Sequence, residues 1–578
     1  MAYTRPGNAF PQDVPAPASS LRPRDSLYST AVPAVLRRVR REAVLPIACG
    51  ALAAALVVAL LTFVPPSGDA PSHLFQTWLY RHGGFQLWNN LWYAGRYEFV
   101  SYSALYYPLA AQTGELPVLA VGAATLAACF AALSRREWGR AARGPAVAFA
   151  CTTPFVLIVS GSYPFAAGAA CAAGAILALQ RGRRGVFCLV VVATLGFSPL
   201  AFALLLALLA GLLLGHPEPL VAARRHWIAL AVVVVAVLAG VFLQRAFPSG
   251  GIYPYNVTDA LVVVLFSLAG LYVTGRSPRA RSLRMLFVAY LILNLCAFLF
   301  KSPVGSNATR LFAVAGAPLL WLAANVSRQR SQVIVFPILA ATAALQVGPW
   351  IRDAYSAWGN PAASAAYWRP AIDYLHARGD DQHRVEAVAT WGHWEAYYLA
   401  RAGFPLARGW FRQDDFPENR VLYDHHLTAA AYDHWLRVLG VRYVVLPDTT
   451  LDYSAGAEAR LLRSGNSGLQ LIWSSRHLKI YELPAAAPIV SAPAGSKAAM
   501  LIRLGHQGIS FLAPEPGRYL VRVRYSPYWQ PQAPDACVAR GPDGMTDVTT
   551  TYPGVVDLSL TPSLATVADA MTSSKPDC

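Results

Sequence analysis

Asp69, His73, Trp88, Asn89, Trp92 and Tyr93 fall within one short polar and aromatic stretch directly behind a charge-free run at 43–64. The segment Gly68-Asp69-Ala70-Pro71-Ser72-His73 sets a carboxylate one helical turn from an imidazole, so both side chains can face one cavity. A carboxylate ionised at neutral pH can take the proton of a hydroxyl held within about 3 Å of it. The imidazole can contact an anion or orient the acid. Behind them, Gly84-Phe85-Gln86-Leu87-Trp88-Asn89-Asn90-Leu91-Trp92-Tyr93-Ala94-Gly95-Arg96 supplies rings of the size that lines a sugar cleft, with two amides among them. Each residue also has a plainer use. Asp69 suits the N-cap of a helix opening Ala70-Pro71-Ser72, His73 suits an interfacial surface, and Trp and Tyr suit an aromatic belt.

The elements that position these residues are membrane spans. A composition of 55% hydrophobic and 14% charged residues lies far from soluble averages and identifies an integral membrane protein. A span needs about 20 mostly apolar residues. Charge-free candidates lie at 43–64, 116–134, 145–160, 163–180, 227–243, 260–275, 285–300, 311–327 and 332–351. The run 185–215 is too long for one span and is interrupted by Gly196-Phe197-Ser198-Pro199, so it reads as two short helices meeting at a break. The expected fold class is a polytopic α-helical membrane protein of about eleven spans, occupying 36–351, with a large first outer loop at 65–115. Residues 1–35 are expected to form a disordered cytoplasmic tail.

Basic residues give the orientation. Arg37, Arg38, Arg40 and Arg41 precede the first span. Arg135, Arg136, Arg140, Arg143, Arg181, Arg183, Arg184, Arg224, Arg225, Arg276, Arg279, Arg281, Arg284, Arg328 and Arg330 fall in alternate connections. Cytoplasmic loops carry such an excess, so the N-terminus is placed in the cytoplasm and everything after residue 351 outside it. The formal charge of +17 is then a topology signal, and nucleic acid is excluded as a partner. The first run exceeds a signal-peptide core and lacks a small-x-small cleavage site, so it reads as a retained anchor.

The C-terminal part changes character. Helical and strand patterns alternate over 352–485, an α/β domain. From 486 to 578 strand patterns separated by Pro and Gly turns point to a β-sandwich. His393, Glu395 and the segment 408–415 with Arg408 and Gln413 form a polar cluster on loops, which is either a binding surface or a solvated rim. Six cysteines lie in apolar runs. Cys537 and Cys578, in the outer part, could pair. No motif with metal-ligand spacing occurs, so no metal site is assigned.

Taken in order, Asp69-x-x-x-His73, Trp88-Asn89-x-x-Trp92-Tyr93-x-Gly95, Arg408-Gly409-Trp410-Phe411-Arg412-Gln413-x-Asp415 and Gly440-Val441-Arg442-Tyr443-Val444-Val445-Leu446 resemble the GT-C superfamily of polyprenyl-phosphate-sugar glycosyltransferases. Within it, the chain is most similar to bacterial membrane proteins labelled as related to 6-pyruvoyl-tetrahydropterin synthase. The resemblance covers about residues 43–485. The pterin chemistry of that label is not implied, since no zinc-binding histidine cluster is present.

The resemblance implies an inverting transfer in a cell membrane: an acceptor hydroxyl attacks the anomeric carbon of a lipid-phosphate sugar and the lipid phosphate departs. The implied partners are a polyprenyl-phosphate sugar donor, a glycan or lipid acceptor, and membrane lipids. Asp69 is then the base and His73 its neighbour in catalysis. A departing phosphate calls for fixed cations, and Arg310, opening a span on the outer side against the positive-inside bias, is the sharpest choice, with Arg96 and Lys301 as alternates. Snorkelling to lipid headgroups is the competing use of Arg310. Trp88, Asn89, Trp92, Tyr93, His393, Glu395, Arg408 and Gln413 are expected to bind substrate. No cofactor is assigned, and a divalent cation stays open, because some members of the superfamily use one and only one acid stands in the first loop motif. A lipid or solute transporter and a non-catalytic scaffold of cell-envelope assembly are the readings of another class.

Overall fold

The computed structural model describes residues 26–572 apart from 101, 219–220, 222–223, 225, 249–250, 329–330 and 533–534; side chains are described from residue 43 onward. Residues 1–25 of the expected tail, together with Arg225, Arg330 and Cys578, therefore lie outside the described residues. Residues 26–35 are not the expected irregular tail: the first helix, Ser26–Leu61, runs from them straight into the first apolar run.

Among the described residues, eight stretches are long and apolar enough to cross a membrane, which makes this a multi-pass membrane protein. One of them, Glu115–Val159, contains two helices, Glu115–Trp138 and Arg143–Val159, that fold back on one another around a turn at Gly139. Two shorter apolar helices, Arg184–Phe197 and Pro199–Gly215, meet at Ser198. Ser198 turns to extended backbone there and caps the second helix by accepting from the Ala201 amide at 3.2 Å.

The helix ends sort onto two faces. At one face the first loop meets the bundle and the C-terminal domains. Ser67 Oγ donates to the Val159 carbonyl at 2.6 Å, the Leu105 amide donates to the Gly196 carbonyl at 3.0 Å, and Tyr528 donates to the Ala246 carbonyl at 2.7 Å. The described arginines of the alternate connections, from Arg135 to Arg328, sit at the opposite ends of the same helices.

Beyond the bundle, a four-stranded sheet runs in the order Arg384–Ala387, Val441–Pro447, Leu478–Glu482, Gln470–Ser474. Its first pair is parallel and the others antiparallel, and helices Ala365–Arg378, Trp394–Arg401 and Ala429–Leu439 accompany it. Two antiparallel four-stranded sheets follow over 490–560 and share one apolar core, a sandwich. Tyr528 and Trp529 are buried in that core. The chain goes on past the last strand into a helix, Leu564–Thr572, which the strand-only reading of this region did not anticipate. Cys537 is disulfide-bonded.

The first loop is the keystone between these units. A two-stranded ribbon pairs Trp88 with Tyr97 and Asn89 with Arg96, and alternation along a strand sends the two pairs to opposite sides. Trp88 and Tyr97 enter the sandwich core, with Trp88 edge-on to Trp529 at 5.7 Å. Between the strands the chain turns through Tyr93 and Ala94, both at φ 59°. Trp92 and Tyr93 join the large core that the bundle shares with the α/β domain.

Candidate functional site

Asp69 is set in place by a close crossing of two turns. Its amide donates to the Ser160 carbonyl at 2.9 Å. Gly68 and Gly161 adopt positive φ at the crossing, and a Cβ on Gly161 would lie 2.3 Å from the Ala70 nitrogen, so only glycine fits. The helix Ala70–Gly83 begins here with proline in its first turn. Asp69 takes the N-cap position, but its side chain makes no capping bond. It turns instead to Arg310, whose Nη2 donates to Asp69 Oδ2 at 2.7 Å, the two side chains being 15% and 16% exposed. The capping use of Asp69 is thereby set aside. Arg310 does not snorkel freely, since one nitrogen is held by the acid, while its Nη1 is buried and has no hydrogen-bond partner. Burial raises the Asp69 carboxyl above the usual carboxylate range, and the adjacent guanidinium draws it part of the way back.

His73 is fully buried and does not hydrogen-bond to the Asp69 carboxylate. Its Nδ1 pairs with the Tyr107 hydroxyl at 3.0 Å, and Tyr102, Tyr106, Tyr107 and Tyr163 surround its ring at 5.7 to 6.2 Å. Burial first and the Arg310 charge second depress its pKa to about 3. The imidazole is thus neutral at physiological pH and supplies no charge to a phosphate, contrary to that part of the sequence reading. The unfolded chain, with an ordinary value of 6.5, binds this proton more readily. The contribution of neutral His73 to stability is therefore complete above pH 6.5 and is lost as the pH falls towards 3. Thermal unfolding followed from pH 7 to pH 4 is expected to show a His73→Gln variant losing less stability across that range than the parent chain.

The other expected phosphate cations are placed elsewhere. Arg96 is buried, its Nη1 2.8 Å from Glu98, its Nε 2.7 Å from Asp414, and its guanidinium 4.0 Å above the Phe411 ring. Burial opposes its charge, but Asp414 and Glu98 outweigh that and raise its pKa. Arg96 thus ties the first loop to the outer domain. Arg96→Ala would remove the counter-charge that Glu98 and Asp414 share, at a cost of about 3–5 kcal/mol, and is expected to lower the thermal midpoint of the purified protein whether or not ligand is present. Lys301 is exposed and shares no hydrogen bond or ion pair with Asp69 or Arg310.

The four expected substrate contacts of the first loop are also structural. Asn89 is fully buried between Glu98 and the Leu91 amide. Trp88 donates to Asn90 at 2.7 Å. Trp92 stacks on Phe75 at 4.3 Å and donates to the Ala396 carbonyl at 3.1 Å. Tyr93 donates to the Phe411 carbonyl at 2.9 Å. None faces open space, because the apolar area of such rings is most stabilising where three units meet. Nor does Arg408 reach outward: it is buried, bidentate to Asp415 at 2.9 and 2.6 Å, and 3.9 Å from Glu458. It offsets a cluster of buried acids that also holds Glu386.

His393, Glu395 and Gln413 belong to a different group. Glu395 accepts from the Thr390 amide and hydroxyl at 3.1 and 2.5 Å and lies 3.2 Å from His393 Nδ1. His393, at φ 55°, lies 3.1 Å from Arg412 Nη2. Arg412 is bidentate to Asp452 at 3.0 and 2.7 Å. Burial opposes the charged form of His393, yet Asp452 and Glu395 raise its pKa overall. The loop carrying Tyr253 links this cluster to Asp69. The Gly251 amide donates to the Gln413 carbonyl at 2.9 Å, and the Tyr253 amide to the Ser302 carbonyl at 3.0 Å, in the turn that leads into Arg310. Burial first, then the Asp69 charge, raise the pKa of the Tyr253 hydroxyl, while Arg310 and Arg412 oppose the rise. Tyr253, Asp452 and Tyr453 were missed in the sequence, where only the Pro, Gly and Tyr content of 248–255 marks that loop as unusual.

Below this face the bundle holds an apolar recess. Its lining runs from Trp138 and Leu322, towards the arginine-bearing ends, to Phe165 and Leu311, the last being the neighbour of Arg310.

No family model matches the chain, and no curated protein matches it. Among solved structures it is similar to ArnT from Cupriavidus metallidurans bound to undecaprenyl phosphate, with 12% identity over 79% of this chain and 100% of that one and a TM-score of 0.36. It is also similar to the Archaeoglobus fulgidus oligosaccharyltransferase tethered with an acceptor peptide, with 14% identity over 70% and 69% and a TM-score of 0.36. A third is the archaeal oligosaccharyltransferase AglB from Archaeoglobus fulgidus in complex with an inhibitory peptide and a dolichol-phosphate, with 15% identity over 70% and 69% and a TM-score of 0.33. Likeness at this level assigns no residue by position.

Proposed function

We propose that this chain is a membrane glycosyltransferase that moves a sugar from a polyprenyl-phosphate donor to an extracytoplasmic glycan or lipid acceptor with inversion. The finer kinship with membrane proteins labelled as related to 6-pyruvoyl-tetrahydropterin synthase is part of the proposal and rests on the motifs quoted above. The observation that carries the reading is the Asp69–Arg310 pair: an acid and a cation 2.7 Å apart, with Arg310 Nη1 left unpartnered, next to Leu311 in the lining of an apolar recess.

In this reading the prenyl tail lies in the recess and its phosphate meets Arg310 Nη1 through a charge-assisted hydrogen bond. The acceptor hydroxyl enters from the domain side and loses its proton to Asp69 as its oxygen bonds to the anomeric carbon. The bond from that carbon to the phosphate oxygen breaks on the opposite face, so the configuration inverts. Polyprenyl phosphate leaves with the negative charge, which Arg310 stabilises more strongly in the transition state than in the donor. His73, neutral, packs the tyrosine wall behind Asp69. A divalent cation is not needed for any of these steps.

The test supplies the full-length protein, reconstituted in vesicles, with polyprenyl-phosphate sugars labelled in the sugar and with envelope extract as acceptor. The expected result is label in the acceptor and one polyprenyl phosphate released per sugar moved. Passage of intact donor across the vesicle without cleavage would make the chain a transporter and overturn the proposal.

A further inference from the structure

Resting on that reading, we infer that Tyr453, Arg412, Asp452, Trp410, Gln413 and Tyr253 form a saccharide subsite on the outer domain, continuous with Asp69, and that the acceptor is accordingly a glycan.

Tyr453 presents an unusual surface. Its ring is 70% exposed, although an exposed aromatic ring gains nothing from water. The Arg412 guanidinium lies 4.6 Å from the ring centroid, and the Tyr423 ring stands 6.1 Å away on its edge. Arg412 is itself immobilised, by Asp452, by the Tyr423 hydroxyl at 3.1 Å and by Ser454 at 3.4 Å. The guanidinium covers one face of the ring and leaves the other, flat and exposed, to stack on the apolar C–H face of a pyranose.

A second observation is independent of that platform. Trp410 Nε1 and Gln413 Oε1 are buried and have no hydrogen-bond partner, a condition that few buried polar groups in a folded protein tolerate. They offer one donor and one acceptor on the two sides of Arg412 in the chain, and the Trp410 ring stands edge-on to His393 at 6.3 Å. A sugar hydroxyl both donates and accepts, so it suits either atom.

Continuity with the reacting end comes from Tyr253. Its loop is fastened to Gln413 on one side and to the turn before Arg310 on the other. Gly305 allows the close approach: at φ +43° a Cβ there would lie 2.1 Å from the Tyr253 carbonyl oxygen. The backbone at 251–253 thus joins the Gln413 segment to the turn that leads into Arg310. A glycan seated on the platform directs its next hydroxyl along Tyr253 to the base.

The experiment applies full-length protein in nanodiscs to an array of immobilised mono- to hexasaccharides, then measures the affinity of the best-retained glycan by tryptophan fluorescence. Tyr453→Ala removes an exposed ring and is expected to weaken binding about tenfold. Trp410→Phe keeps the ring and removes one donor, with an expected weakening of several-fold. Retention of no glycan, or equal affinity in the parent, Tyr453→Ala and Trp410→Phe proteins, overturns the subsite. If instead glycan binding follows these variants while labelled donor is never cleaved, the subsite stands and the transferase reading falls.

Discussion

Asp69→Asn is expected to reduce sugar transfer by about 10²–10⁴-fold while the protein is made, inserted and folded as before. The magnitude is that of a positioned general base. Asparagine keeps the shape of the side chain and an oxygen that can accept from Arg310, so the 2.7 Å contact can persist. It has no lone pair basic enough to take a proton from an alcohol. The close crossing of Gly68 and Gly161 and the bond from the Asp69 amide to Ser160 use backbone alone and are untouched. Transfer by purified parent and variant in the same vesicles is the measurement, with thermal midpoints as the control. Full transfer by the variant would mean a base elsewhere or no catalysis by this chain.

Arg310 gives the second large effect, and its two replacements are expected to separate charge from geometry. Arg310→Lys keeps a cation but loses the fork that serves Asp69 with one nitrogen and leaves Nη1 free. A loss of about 10²-fold in kcat with a smaller change in KM is expected, comparable to removing one donor from a site that stabilises developing negative charge. Arg310→Ala leaves Asp69, 16% exposed, without its partner. The carboxyl pKa, already raised by burial, then rises further. Transfer by this variant is expected to fall below that of Arg310→Lys and to recover in part at higher pH, where Asp69 ionises again. A pH profile of kcat for the three proteins distinguishes this from simple misfolding, which raising the pH does not repair.

The class of protein was legible because a membrane imposes few solutions, and apolar runs with arginines at alternate ends declare themselves. Asp69 and Arg310 stood out as candidates for a related reason: a charge at the edge of an apolar run is costly unless it is used. Their pairing across 241 residues was not visible, since neither residue carries a local sign of the other. The reading failed where aromatic residues had two uses. Trp88, Trp92 and Tyr93 have the composition of a sugar cleft, yet the same rings make the best filler where three units join, and only the partner surfaces decide. Arg96 and Arg408 misled in the same way, because a cation in a polar motif looks free until the buried acids that hold it, Asp414 and Asp415, are brought together by the fold. Tyr453 was overlooked because a single aromatic in a turn has no pattern, and its value lies in Arg412 beside it.

The first loop is fastened on both flanks. Asn90 holds the 505–506 backbone of the sandwich through its amide and its side chain, Arg524 of the sandwich donates to the Ala94 carbonyl, and Leu406 of the α/β domain donates to the Leu91 carbonyl. Swinging either outer unit away would break these bonds and unseat Trp88 or Trp92. The roof over Asp69 and Arg310 is therefore a fixed vault rather than a hinged cover. The substrates proposed above would then reach Asp69 and Arg310 without either unit moving aside.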